Sequence, residues 1–539
     1  MKTMRKKAVF EITDRILNQD FIVGILLFLL ALGLRWIRLF DLDLNFDETI
    51  LRLIAPGTFG DIWNQCKNDN FPPLYPWLVK LWLQLDGGDD WFRFLGAFLG
   101  ATTAPAAYLL GKEASDAKTG RLLGIACALS VSLIFYSQFV RMFNLQPVLV
   151  CLSVYWFIKA LKTHQWRFWI LTALVNLVGF YCYIFMLILV FSEFIAAILF
   201  FKADWKRYYR LVFTHFFFLA GAFVWMIPLL YRISAVETEF WIPKLTLLEI
   251  GKVWLHWGTG TDFRDHYYLA AAMNLPFLSG LLAAIFQREK TFGVRNVTTI
   301  FFLIIVIIFL ISKFGQSFVH IRYFLFILPL YLLLVVHGWM SLKKNTWRIL
   351  GLISLFLSLG ISAIYYYIDY YQMHDYYGFV RPLPYAEKSE GHALSTVAQE
   401  IADRLGESEV IIHFSDPYLR VCTFYASLHY HRRSLREYIY SKYEISQYNG
   451  RQYLREGEWI RTLDDVTPTP KGIWILTLHP PELLFASSPL KWIKEENLPE
   501  ELKSRGYRKS EIISKGKVFG IHFILTEDIP ADERRTRDD

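Results

Sequence analysis

The chain has 539 residues, of which 54% are of hydrophobic type and 20% are charged, below the share of about 25% usual in soluble domains. Aromatic residues reach 17%, mean hydropathy is +0.30, the formal net charge is +8 and the pI is near 9.0. These values exclude a disordered chain, a coiled coil, a collagen and a secreted disulfide scaffold. A nucleic-acid binder is disfavoured, because Lys and Arg sit in short clusters between apolar segments rather than in one patch.

A membrane-spanning helix takes roughly 20 mostly apolar residues. About eleven segments qualify in chain order: 20–40, 91–111, 120–138, 143–161, 167–183, 184–201, 211–231, 270–287, 297–312, 322–341 and 347–368. The first runs into Arg35-Trp36-Ile37-Arg38 with no small-residue cleavage site, as an uncleaved anchor would. Alternate loops are short and basic: Lys112/Lys118/Arg121, Lys159/Lys162/Arg167, Lys202/Lys206/Arg207/Arg210, Arg288/Lys290/Arg295 and Lys343/Lys344/Arg348. The positive-inside rule sets these loops and the basic amino terminus on the cytoplasmic side. The long loops 41–90 and 232–269, and everything after 369, then face out.

The expected fold is mainly α: residues 1–368 form a polytopic transmembrane bundle of about 11 helices with a catalytic first outer loop at about 41–90. Residues 369–539 form an extracytoplasmic α/β domain. There the helical periodicity of Leu394–Leu405 is followed by apolar strand-like runs at Val410–Phe414, Gly472–Leu476 and Val518–Leu525. Cys127, Cys151 and Cys182 fall in apolar stretches and read as small core residues. Cys66 and Cys422 fall on the same predicted side, which leaves a disulfide between them open.

Two adjacent acids, Asp47 and Glu48, stand just beyond the first span. Acids at a membrane boundary are costly to desolvate, which points to function; the plainer reading is first-turn acids favoured by a helix dipole. His256, Asp262, Asp265 and His266 in the second outer loop fit no metal-ligand spacing and read better as a polar loop.

The residues from Leu42 to Thr49, with Asp47-Glu48, followed about 25 residues on by Pro72-Pro73-Leu74-Tyr75, resemble the first outer loop of GT-C glycosyltransferases. Glycosyltransferase family 39, which holds the bacterial relatives of protein O-mannosyltransferases and of the lipid A aminoarabinose transferase, is the closer likeness. Trp91–Gly100 with Tyr108–Lys112 is similar to that family's second span. Phe135-Tyr136-Ser137-Gln138-Phe139-Val140-Arg141-Met142-Phe143 resembles its Tyr-Ser-Gln-Glu-Ala-Arg-Met-Tyr segment, and His320–Leu325 with Leu328-Pro329 its late Arg-Tyr segment. The likeness covers roughly residues 15–370.

The resemblance implies an integral-membrane inverting glycosyltransferase. It would move a sugar from a polyprenyl-phosphate carrier to a lipid, glycan or protein acceptor at the outer face of a plasma membrane. A hydroxyl acceptor needs a carboxylate to take its proton, which by matching motifs is Asp47, with Glu48 supporting it or holding the acceptor. Charge building on the departing phosphate needs fixed cations shielded from water. Arg141 and Arg322 are the candidates, and Arg93 and Lys313 secondary ones; snorkelling to headgroups is the alternative for each. No cofactor is assigned, and no residues are assigned to a divalent metal. Phe139 replaces the family's Glu, which removes one carboxylate; Glu239, Asp262 and Asp265 are acids available elsewhere. Two other readings stand beside the enzyme: a transporter or lipid flippase, whose acids belong nearer the membrane midplane, and a catalytically inactive scaffold relative.

Overall fold

The structure is a computed structural model, and it describes residues 2–68, 71–200, 205–236, 245–260, 266–315, 317–368, 392–415, 420–445, 454–481, 484, 491–516 and 518–526. Glu239, Trp241, Asp262 and Asp265 lie outside the described residues. The chain divides into two compact units, Met1–Leu39 with Gly57–Ile368, and Phe40–Pro56 with Asp369–Asp539.

The first unit is helical. In chain order it comprises α1 (Lys2–Trp36), α3 (Phe59–Lys67), α4 (Leu74–Leu83), α5 (Asp89–Ala101), α6 (Thr103–Ala114), α7 (Ala117–Leu129), α8 (Val131–Ser137) and α9 (Gln146–Thr163). It continues with α10 (Trp166–Cys182), α11 (Met186–Phe200), α12 (Trp205–Val236), α13 (Leu247–Gly258), α14 (Tyr267–Phe286), α15 (Phe292–Phe314), α16 (Ile321–Phe324), α17 (Leu328–Met340) and α18 (Asn345–Ile368). α2 (Phe46–Ile54) falls in the second unit.

Among the described residues, eight helices are long and apolar enough to cross a membrane. α7 and α8 make a further span bent by 57°, and α10 and α11 are shorter apolar helices. Every one of the eleven predicted segments coincides with one of these. Their outer faces carry exposed Phe21, Leu26, Phe216, Phe223 and Ile364, a surface suited to lipid rather than water. Their inner faces use small residues so that backbones can approach. A Cβ on Gly111 would stand 2.8 Å from the Cα of Gly120, and one on Gly338 would stand 1.8 Å from the carbonyl oxygen of Gly280.

The second unit is an α/β domain. Its described sheet has six strands, β1 (Glu409–His413), β2 (Glu437–Tyr440), β3 (Trp459–Ile460), β4 (Gly472–Thr477), β5 (Tyr507–Lys515) and β6 (Val518–Leu525), in the order β3-β2-β1-β4-β6-β5. The pairs β3–β2, β2–β1 and β1–β4 are parallel, and β4–β6 and β6–β5 are antiparallel. All six residues of β4 are buried, as a strand covered on both faces requires. α19 (Ala393–Arg404) and α20 (Arg420–His431) supply part of that cover; Leu394, Val397 and Ile401 pack with Ile411, Trp474 and Leu476.

The segment Phe40–Pro56 is built into this unit by polar and apolar contacts. The Asp43 carboxylate accepts the backbone N–H groups of Leu394 (3.0 Å) and Ser395 (3.1 Å), capping α19 from outside it. The Leu44 N–H donates to Tyr430 Oη at 2.7 Å. Ile50 of α2 is buried among Val421, Phe424, Tyr425, Ile439 and Ile445. All five cysteines are buried thiols, including Cys66 and Cys422.

Candidate active site

Asp47 and Glu48 sit in the first turn of α2. Asn45 is the N-cap: its side chain accepts the Glu48 N–H at 3.0 Å, and the Glu48 carboxylate accepts the Asn45 N–H at 3.1 Å. This reciprocal box satisfies two otherwise orphaned donors. It also turns Glu48 inward, where the residue is fully buried. Asp47 is half-buried. Burial pushes the Cys422 thiol up, and the negative charge of Asp47 pushes it further. The acid is therefore close enough to α20 to act on it electrostatically.

The candidate cations belong to the first unit, where glycines set the geometry. A Cβ at Gly96 of α5 would lie 2.8 Å from the Phe139 carbonyl oxygen, and one at Gly100 would lie 2.0 Å from Ser137 Oγ. Bare α5 backbone thus allows the segment 137–144 to lie against it. Asn144 Nδ2 donates to Tyr75 Oη (2.8 Å) and to the Phe139 carbonyl (3.0 Å). The same segment is joined to the Pro72-Pro73-Leu74-Tyr75 motif a second time, because the Arg141 guanidinium lies over the Phe71 ring at 4.9 Å. Two stretches singled out separately in the sequence therefore form one assembly. Phe139, which stands where the family has Glu, packs its ring against Phe135 at 4.8 Å.

Ser137 and Gln138 brace this segment from the other side. The buried Arg35 donates from Nε to Ser137 Oγ at 3.0 Å, and Gln138 Nε2 donates to the carbonyls of Arg35 (3.1 Å) and Ile37 (2.9 Å). Tyr366 Oη donates to Gln138 Oε1. Arg35 reads in the sequence as a flanking membrane anchor, yet it is fully buried in the bundle. Charge patterning alone does not separate a lipid-facing arginine from an inward one.

Arg322 lies on α16, a single turn just after His320. Its guanidinium is 4.8 Å from the Tyr323 ring and 5.8 Å from the Phe143 ring, and Nη2 donates to Tyr323 Oη at 3.0 Å. His320 Nδ1 accepts the Arg322 N–H at 3.4 Å. Burial, followed by the neighbouring Arg322 charge, pushes His320 down to about 3, so its ring is neutral at physiological pH. Arg322 thus meets the segment that carries Arg141 through the Phe143 ring, which the sequence did not reveal. Arg93 is buried within α5. Lys313 is exposed in the last turn of α15, its Nζ 5.7 Å from the Phe314 ring. Among the described residues no group of three or more His, Cys, Asp or Glu side chains is placed to hold a metal.

With the geometry in hand, the chain can be compared with known proteins. Residues 70–231 match the family model of dolichyl-phosphate-mannose-protein mannosyltransferases. The match spans Tyr75, Arg93, Arg141 and Tyr183. No curated protein matches the chain by sequence. In three dimensions the chain is similar to ArnT from Cupriavidus metallidurans in the apo state, with TM-score 0.60 and 12% identity over 94% of this chain and 98% of that one. It is also similar to the same protein bound to undecaprenyl phosphate, with TM-score 0.56 and 10% identity over 94% and 99%. A third likeness is to the archaeal oligosaccharyltransferase AglB from Archaeoglobus fulgidus, in complex with an inhibitory peptide and a dolichol-phosphate. That match has TM-score 0.51 and 12% identity over 95% of this chain and 75% of that one.

At these identities the structural matches are likenesses of fold, and the family model supplies the sequence link. Together they give the chain a multi-pass helical fold like that of ArnT and AglB. Within that fold, segment 70–231 is similar in sequence to the dolichyl-phosphate-mannose-protein mannosyltransferases.

Proposed function

We propose that the protein transfers a sugar from a polyprenyl-phosphate carrier to a hydroxyl acceptor at the outer face of a plasma membrane. Asp47 serves as the general base and Arg141 and Arg322 hold the lipid phosphate. The observation that carries this reading is that the segment 137–144 contains one guanidinium, Arg141, and meets a second, Arg322, 5.8 Å from its Phe143 ring. Arg141 lies over Phe71 and Arg322 over Tyr323, both half-buried against aromatic rings. Phosphate oxygens gaining charge as the glycosidic bond breaks are stabilised most by fixed cations of this kind. The likeness in fold to a protein bound to undecaprenyl phosphate supports the donor class.

Asp47 takes the acceptor proton as the hydroxyl oxygen attacks the anomeric carbon. Attack opposite the phosphate inverts the configuration. The position of Asp47 in the first turn of α2 favours its ionised form, the one a base needs. Glu48 holds the turn through its bond to the Asn45 N–H and so fixes its neighbour. The short basic loops set the amino terminus in the cytoplasm and the unit containing 369–539 outside. We divide the chain functionally into a transmembrane catalytic module and this outer α/β unit, with residues 40–56 contributed to the latter.

The test is donor turnover with purified chain, radiolabelled polyprenyl-phosphate sugar and membrane extract. Asp47→Asn should fold, bind the lipid and lose transfer by about 10²–10⁴-fold. Transfer at the parental rate would show that Asp47 is not the base.

A further inference from the structure

The aromatic strip around Phe143 holds a hydroxyl that the bundle itself does not use. Tyr183 follows the last turn of α10 in extended conformation (φ −162°, ψ 133°) and is only 3% exposed. Its ring packs edge-on against Phe143 at 5.7 Å and parallel to Tyr323 at 6.4 Å. Those are the two rings against which the Arg322 guanidinium lies. The Tyr183 Oη is buried with no hydrogen-bond partner. A buried hydroxyl without a partner costs folding free energy that a phenylalanine at the same place would not. Packing alone gives no reason for the oxygen.

A second orphan lies close by in the chain. Gln146, three residues after Phe143, opens α9; it is fully buried, and neither its Nε2 nor its Oε1 has a partner. α9 itself begins without a side-chain cap, so its first N–H groups and its positive dipole end are not neutralised by a capping residue. The guanidinium and the idle phenol share two rings and make a donor pair for an anion, and the idle amide and uncapped helix start follow three residues along the chain from Phe143.

We propose that the Tyr183 hydroxyl is a ligand of the donor phosphate. It donates a hydrogen bond to a non-bridging oxygen beside Arg322, and the Gln146 amide supplies a second donor. This inference rests on the lipid-phosphate donor proposed above and deepens it by naming groups that carry no charge. No proton is transferred; both groups only donate hydrogen bonds to the phosphate, in the bound donor as in the departing anion.

Tyr183→Phe removes one oxygen and leaves the ring. The full chain in detergent, titrated with undecaprenyl phosphate and, separately, inorganic phosphate, is followed by its thermal midpoint. Without lipid, Tyr183→Phe should melt at or above the parental temperature. Its affinity for undecaprenyl phosphate should fall at least tenfold, and donor KM should rise more than kcat falls. Gln146→Met should show the same pattern. Binding of the lipid but not of free phosphate assigns the site to the carrier; equal response to both assigns it to phosphate chemistry alone, and either supports the ligand role. A lower melting point without lipid, or parental affinity in both variants while Arg322→Gln binds weakly, would overturn the role of Tyr183 and leave the donor reading intact. A parent chain that binds neither probe would overturn both.

Discussion

Glu437 makes the stability of the α/β unit depend on acid. It starts β2, and its carboxylate lies between two imidazoles, accepting from His413 Nε2 at 2.8 Å and from His431 Nε2. All three side chains are buried, at 1% exposure or less. The Arg433 N–H donates to His431 Nδ1 at 3.0 Å, which places the His431 proton on Nε2, facing the carboxylate. Burial by itself would raise Glu437, but the hydrogen bonds from His413 and His431 outweigh it and hold the group at about 2, against an ordinary 4.5. That gap corresponds to about 3 kcal/mol, at 1.36 kcal/mol per pH decade. Because the folded-state value is depressed, this stability is fully present above about pH 4.5. It is lost as the pH falls from there toward 2. Hydrogen exchange of peptides covering Glu409–His413 and Glu437–Tyr440, corrected for intrinsic rates, reads the local opening. The parent should lose about 3 kcal/mol of protection over that range. Glu437→Gln should start lower at neutral pH and lack the acid step, so the two curves converge. A Gln variant that keeps the same acid step, or matches the parent at neutral pH, would refute the reasoning.

Two further predictions concern the membrane bundle. Ser153 Oγ lies 2.5 Å from Asn176 Oδ1 and 2.7 Å from Glu193 Oε1, while Asn176 Nδ2 donates to Glu193 Oε2 at 2.7 Å. One hydroxyl proton cannot serve two oxygens, so the ring closes when Glu193 carries its own proton and donates it to Ser153. Glu193→Gln, which offers an N–H in that place, should keep the thermal midpoint, whereas Glu193→Ala should lose about 1–3 kcal/mol; equal losses would contradict a protonated carboxyl. In the second case, an added methyl at Gly100 meets Ser137 Oγ at 2.0 Å and Cβ at 2.5 Å, while one at Gly33 meets nothing within 4 Å. Gly100→Ala should cost about 1–3 kcal/mol and impair transfer, and Gly33→Ala should do neither. Matching melting curves for the two variants would show that the close approach of α5 to 137–144 is not needed.

Much of the bundle was legible in the chain, because a span is a local property: about 20 apolar residues must satisfy their own backbone, and only a helix does so. The eleven segments and the strands at 409–413, 472–477 and 518–525 follow from runs of apolar side chains. β2, β3 and β5 did not stand out. β3 has two residues, and β5, at the sheet edge, exposes Arg508, Lys509, Ile512 and Ser514 with no alternation for a strand pattern to show. Nor did the sequence show that residues 40–56 fold with the α/β unit. Asp43 caps α19, about 350 positions away, and such a bond leaves no local mark.

The site divides in the same way. Residue type marked Asp47, Arg141 and Arg322, because charge near a span is conspicuous wherever it occurs. How each acid is placed was decided by folding: the capping box turned Glu48 inward and left Asp47 half-buried. The idle oxygen of Tyr183 and the idle amide of Gln146 were invisible in a chain with 30 Tyr. An unmet hydrogen bond is a relation among segments far apart in sequence, and only packing creates it.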